Sequence, residues 1–372
     1  MYLAGFHGAR VATGIEHDLR VRTVALRGDG RPFALAVCDL IGLVREDTLA
    51  IRRALPDVDL VVASTHTHSG PDTIGLWGPD ETTRGVDEAF LARVRETVVA
   101  SVRASVAVLE PAILRFGATR VTGLIRNARD PDVLDEQVCT LSADRPLGDP
   151  IVTLVNVPMH PEVLDGRSTL VSPDVAGAAC RALERERGGM AVWASAGLGG
   201  MQSPDTELRT SDEVERFGRT FAAAALASLD EVPLEPGLAF RRTEVELPLW
   251  NPVFREGLAA GLLRGELVDG RLIADVSLLE LGQARVACLP GEVLPALAMQ
   301  VKERLGARYP FIVGLADDEL GYILPKDVFV EPADWDDPDP HYEESRSVGP
   351  ETGPLLVAAL ERLLGGRRSV TT

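Results

Sequence analysis

The run Asp59-Leu60-Val61-Val62 reads as a buried strand, and it leads directly into Ala63-Ser64-Thr65-His66-Thr67-His68-Ser69-Gly70-Pro71. Only six histidines occur in the chain, and two of them sit here with one residue between them. On a strand, alternate side chains share a face, so His66 and His68 are expected to point the same way, roughly 6–7 Å apart at Cα. Gly70-Pro71 then ends the strand. The carboxyl ends of strands are where α/β folds place their ligands. The stretch alone leaves two readings level: a metal site, or a pair of structural histidines bonded to loop backbone.

The rest of the chain alternates strand-like and helix-like runs. Residues 21–26 and 33–40 read as strands joined by a turn-rich link, and 46–55 as a short helix. In 87–109, Phe90, Val94, Val98, Val102 and Val106 recur every four residues, which predicts a helix with a core-facing stripe. Strands are expected at 113–121, 138–141, 151–157 and 190–194, and helices at 173–187 and 211–226, the latter opened by the capping pattern Thr210-Ser211-Asp212-Glu213. Later strands are predicted at 238–247, 272–281 and 285–289, and helices at 292–305 and 354–364. With 372 residues, no internal repeat and no Ser/Gly linker, this predicts a single α/β domain over 1–364 with mixed sheets flanked by helices; residues 365–372 read as a disordered tail.

Composition narrows the function. A net charge of −18 argues against nucleic acid and against docking on anionic membranes. No apolar run reaches the ~18 residues needed to span a bilayer, and the N-terminus lacks the basic and apolar regions of a secretion signal. A cytoplasmic protein is expected. Cys38, Cys139, Cys180 and Cys288 are far apart and set among apolar residues, so they read as buried free thiols.

Other residues stand where chemistry is done. His160 follows the 151–157 strand closely, as His66 follows its own, so both fit one rim. Asp39 after the second strand either steadies a histidine or caps the next turn. Trp77 is a pocket wall or a loop anchor. Glu292 in Cys288-Leu289-Pro290-Gly291-Glu292 reads as a helix-start carboxylate. Ser203 follows the glycine-rich Gly197-Leu198-Gly199-Gly200, a loop that can present a serine or oxyanion-binding amides. The usual hydrolase signatures are missing: there is no His-Glu-x-x-His and no Gly-x-Ser-x-Gly.

Several of these pieces, in order, resemble one family, the neutral (non-lysosomal) ceramidases, and among them short bacterial relatives made of the catalytic domain alone. Ser64-Thr65-His66-Thr67-His68-Ser69-Gly70-Pro71 resembles the family's Ala-Thr-His-Thr-His-Ser-Gly-Pro. His160-Pro161 with Ser172-Pro173-Asp174 resembles its second histidine segment, Pro290-Gly291-Glu292 its glutamate motif, Gly321-Tyr322 its tyrosine motif, and Tyr342-Glu343 a late tyrosine near the substrate. The resemblance implies Zn²⁺ held by His66, His160, Glu292 and Tyr322, with His68 as the neighbouring acid/base or oxyanion group, Ser203 as the family's proposed nucleophile, and Tyr342 near the substrate. Two positions depart from the pattern. The family's Gly-Asp-x-Ser-Pro is Gly200-Met201-Gln202-Ser203-Pro204 here, and its Asn-Arg pair is Asn127-Ala128, leaving Arg129 or Arg126 to face the substrate. A C-terminal immunoglobulin-like domain like that of longer ceramidases is not expected.

The expected function is therefore zinc-dependent hydrolysis of a linear amide, an N-acyl amide small and soluble rather than a membrane ceramide. Acyl transfer or cyclisation at the same zinc site, and ligand binding without catalysis on a degenerate scaffold, are the rival readings.

Overall fold

The apolar runs pair into three main sheets in a computed structural model of the chain, which describes residues 1–6, 8–80, 82–230, 237–335 and 338–366. Val21–Leu26 and Phe33–Cys38 form an antiparallel hairpin, and Asp59–Ser64 adds parallel to its second strand. The next sheet has the order Met190–Ser195, Pro150–Val157, Gln137–Asp144, Ile113–Arg120; its first pair is parallel and the others antiparallel. The last runs Leu238–Pro248, Arg271–Leu281, Ala284–Cys288, Tyr309–Val313, closing on a parallel pair.

Strand alternation explains the layering. Leu35 and Val37 face inward and meet Val61, Leu141, Leu154, Leu279 and Phe311 in one core shared by all three sheets. Ala34, Ala36 and Cys38 face outward onto helices Arg45–Arg53 and Glu88–Ala107. Helices Asp174–Arg187 and Ser211–Ser228 cover the second sheet, and Pro295–Leu305 and Thr352–Gly365 the third. In Glu88–Ala107 the buried stripe is Leu91, Val94, Val98 and Val102, with Phe90 and Val106 half-buried at its edge. All four cysteines are buried and free. Among the described residues no helix is long and apolar enough to cross a membrane.

Three local expectations need correction. The helix predicted from residue 292 starts at Pro295, whose ring favours the first helical position. Glu292–Val293 is instead a short strand, paired in parallel with Tyr322–Ile323. The strand Tyr309–Val313 and the helix Pro252–Ala259 were not anticipated. Residues 367–372 of the expected tail lie outside the described residues, and Gly365 still belongs to the last helix.

The sheets are stitched together at the carboxyl ends of their parallel strands. Ser195 Oγ donates to the Thr65 carbonyl at 2.7 Å, and the Gly314 amide to the Ser195 carbonyl at 3.0 Å. The Asp317 amide donates to the Val62 carbonyl at 2.7 Å. The loops that leave Ser64, Val157, Ser195 and Cys288 therefore converge on one rim.

Candidate metal centre

His66 does not continue its strand. The strand ends at Ser64, and His66 takes a left-handed φ of 67°, held by its amide on the Leu40 carbonyl at 2.9 Å. A non-glycine residue in that region is strained and persists only where surrounding structure fixes it. Regular strand alternation therefore does not present His66 and His68; both rings still reach one cluster, meeting edge to face with centroids 5.0 Å apart. The two histidines have different surroundings.

His66 Nδ1 lies 2.6 Å from the Ile41 carbonyl oxygen, and His160 Nδ1 lies 3.2 Å from that of Gln202. A carbonyl only accepts, so each Nδ1 carries a proton and each Nε2 is the nitrogen left to meet Glu292, through a proton or a metal ion. Both Nε2 atoms are aimed at one atom, Glu292 Oε2, at 3.6 Å from His66 and 3.0 Å from His160. The parallel register Glu292↔Tyr322 sets Tyr322 beside the carboxylate, its hydroxyl donating to Met201 Sδ at 3.3 Å. Ligand atoms of His66, His68 and His160 all lie within 4.8 Å of one another, and all three side chains are buried.

This donor set fits a metal ion. Two imidazoles with their outer nitrogens anchored on carbonyls are the usual arrangement around metal-ligating histidine. Neither ring nitrogen of His68 has a hydrogen-bond partner among the described residues, an expensive state for a buried polar side chain that faces no ligand.

The electrostatics of the cluster agree. Burial pushes the His66 imidazole down to about 4, and burial with the neighbouring imidazoles holds His68 well below the usual histidine range. His160 moves the other way: burial opposes its charge, but its hydrogen bond to Glu292 and the nearby carboxylates outweigh that. For Glu292, burial opposes ionisation, yet His66 and His160 hold it below the usual carboxylate range. Burial, then the Glu292 charge, pushes the Tyr322 phenol well up.

Around this cluster stand the remaining predicted residues. The N-terminal segment roofs His68: the Phe6 ring packs edge to face against it at 5.0 Å, and Arg10 Nη2 donates to the His68 carbonyl at 2.6 Å. Trp77 is the anchor of that roof, donating from Nε1 to the Phe6 carbonyl at 2.9 Å. Ser203 is buried on the strand Gln202–Pro204, paired with Ile125–Asn127, and its Oγ donates to Glu162 Oε1 at 2.5 Å. Glu162 Oε2 is also 3.2 Å from His68 Nδ1, without the alignment of a hydrogen bond. Sequence reasoning passed over Glu162, although an acid two residues after a ligand-type histidine was its signal.

Arg129 is engaged by protein rather than free. Its guanidinium donates to Glu343 Oε2 at 2.8 Å and to both oxygens of Glu344 at 2.7 and 2.8 Å. It thereby braces the helical turn Tyr342–Ser345, whose Tyr342 ring lies 6.0 Å from that of Tyr322 and is 37% exposed. Arg126 is exposed. Asn127 is structural, accepting from the Arg129 and Asp130 amides. Asp39 caps the Arg20 amide at 2.9 Å. A surface cleft of about 380 Å³ is lined by Glu16, Leu164, Asp165, Arg167, Leu170 and Arg209, none of which belongs to the histidine cluster.

No protein-family model matches the chain, and no curated protein does. Among solved structures, neutral ceramidase from Pseudomonas aeruginosa matches with a TM-score of 0.76 at 17% identity, over 100% of this chain and 73% of that one. A ceramidase complexed with C2 matches with a TM-score of 0.77 at 17% identity, over 100% of this chain and 74% of the other. The chain has the neutral ceramidase fold. In this version of the ceramidase fold Met201, at φ 57°, turns its sulfur to Tyr322, and the carboxylate that reaches Ser203 comes from Glu162.

Proposed function

We propose that the chain is a zinc-dependent hydrolase of linear amides. The observation that carries this reading is the convergence of two imidazole Nε2 atoms on one oxygen of a buried carboxylate, His66 and His160 on Glu292. His66, His160 and Glu292, with Tyr322 beside them, are the residues that would hold the ion; a set of imidazole nitrogens and oxygens suits zinc. Bound there, zinc supplies Lewis acidity to a substrate carbonyl oxygen.

The chain's own groups supply the rest. His68, buried with both ring nitrogens unbonded, can hold or deliver a proton beside the ligands. Ser203 presents a hydroxyl whose proton already points at a carboxylate, the arrangement an oxygen nucleophile needs. Arg129 fixes the turn that brings Tyr342 to the half-exposed edge of the site. The likeness to structures named as ceramidases supports an N-acyl amide as substrate. The net charge of −18 disfavours an anionic bilayer, so a small soluble amide fits better than a membrane lipid.

The test is a screen of N-acyl amides, short-chain ceramides included, with and without chelator. The expected result is release of free amine and carboxylate that chelator abolishes and added zinc restores. Turnover indifferent to metal removal would contradict the reading. An amine acceptor in the same assay separates hydrolysis from acyl transfer.

A further inference from the structure

Glu162 touches two of the residues just given roles. It is 6% exposed, and its backbone is held on every side. Its own amide donates to the His160 carbonyl at 2.9 Å, and the His68 amide to the Pro161 carbonyl at 3.4 Å. The next two amides, of Val163 and Leu164, donate to the Asp174 carboxylate at 3.1 and 2.9 Å. The carboxylate so fixed has Oε1 at 2.5 Å from Ser203 Oγ and Oε2 at 3.2 Å from His68 Nδ1. No arginine or lysine among the described residues pairs with it.

A buried carboxylate without a cation is tolerated when donors fill its oxygens. The donors within reach are the Ser203 hydroxyl and the His68 imidazole. An ionised carboxylate accepts only, so the serine donates, and of the two His68 tautomers the Nδ1–H form is the one that meets Oε2 favourably at 3.2 Å. That choice leaves Nε2 of His68 bare, in the cluster it shares with His66 and His160. The His68 contact is loose, as catalytic contacts commonly are before substrate tightens them.

We propose that Glu162 is a positioning residue that serves two groups at once, orienting the Ser203 hydroxyl through Oε1 and fixing His68 as its Nδ1–H tautomer through Oε2. The use of the bare Nε2, proton transfer to or from an amide substrate, rests on the hydrolase reading; the tautomer does not.

The experiment is a long-range ¹H–¹⁵N correlation spectrum of the zinc-loaded protein labelled with [¹⁵N]histidine, with His68 assigned by its loss in His68→Gln. The expected result is an Nδ1–H, Nε2-bare signature for His68 in the parent, lost in Glu162→Gln and Glu162→Ala. An Nε2–H signature in the parent, or an Nδ1–H signature unchanged in Glu162→Ala, overturns the proposal, and the parent spectrum decides even where a variant fails to fold. With a substrate in hand, Glu162→Gln is expected to lower kcat about 10- to 100-fold with KM held, and to cost much less in a Ser203→Ala background. Amide turnover with the wrong tautomer would leave the hydrolase standing and remove Glu162; the right tautomer with no amide turned over would do the reverse.

Discussion

His160 and Glu292 face each other acceptor to acceptor: Nε2 stands 3.0 Å from Oε2, while the imidazole's Nδ1 is committed to the Gln202 carbonyl. Two acceptors at that distance need a positive charge between them. In the metal-free protein a proton serves, which is why His160 is held above the usual histidine range despite complete burial. A metal ion would take the proton's place.

Metal binding is therefore expected to expel a proton near neutral pH. Zinc titration calorimetry in two buffers of different ionisation enthalpy should show about one proton released per metal near pH 6.5, falling as pH rises through the raised pKa of His160. Binding without proton release would show that His160 is not the group displaced.

Gly5 gives a way to move His68 alone. It sits at φ 74°, and a Cβ there would lie 2.4 Å from His68 Cγ. Gly5→Ala must displace the ring, and a misplacement on the order of 1 Å costs about 10²-fold in rate. Metal content should stay at the parent level if His66, His160, Glu292 and Tyr322 hold the ion, because the nearest atoms that Cβ meets all belong to His68. Loss of metal with the rate would make His68 a ligand instead.

Arg129 holds two acids that have little water. Glu344 is 0% exposed and Glu343 4%, and both bind its guanidinium. Breaking such a pair strands buried charge, so Arg129→Ala should lose about 3–5 kcal/mol in urea denaturation. Adding Glu343→Gln and Glu344→Gln should recover part of it. A loss under about 1 kcal/mol would mean the turn carrying Tyr342 is braced by something else.

Asp174, which anchors the Glu162 loop, sets a pH dependence. Burial raises its carboxyl from 3.8 to about 6, against the pull of the Leu164, Val175 and Val163 amides. A pKa raised in the folded state means tighter proton binding there. Its contribution is full below the unfolded value of 3.8 and is lost as pH rises through about 6. The stability gap between parent and Asp174→Asn, measured by denaturation, should therefore narrow from about pH 4 to about pH 7. A gap that widens over that range would mean the amides outweigh burial.

Much of this architecture was legible in the sequence, because buried strands and amphipathic helices carry local periodicity. The strands at 21–26, 151–157 and 190–194 and the helix stripe of Val94, Val98 and Val102 are of this kind. Features decided by contacts far along the chain were not. The left-handed turn at His66 depends on the Leu40 carbonyl, and the Glu292↔Tyr322 pairing joins segments thirty residues apart. Periodicity carries neither. Tyr322 and Glu292 were reached through family resemblance instead, and Glu162, an acid two residues after a ligand-type histidine, was not reached at all. Arg129, like Arg126, was expected to face substrate only through the family resemblance; its engagement by Glu343 and Glu344 joins residues 214 and 215 positions apart.

The most direct measurement is elemental analysis of the purified protein beside His66→Ala and His160→Ala. About one zinc per chain is expected in the parent, with at least about tenfold less retained by each variant after identical dialysis, and amide turnover lost in parallel. Full amide turnover by protein free of metal, or parent-level zinc in His160→Ala, would contradict a centre built on these residues.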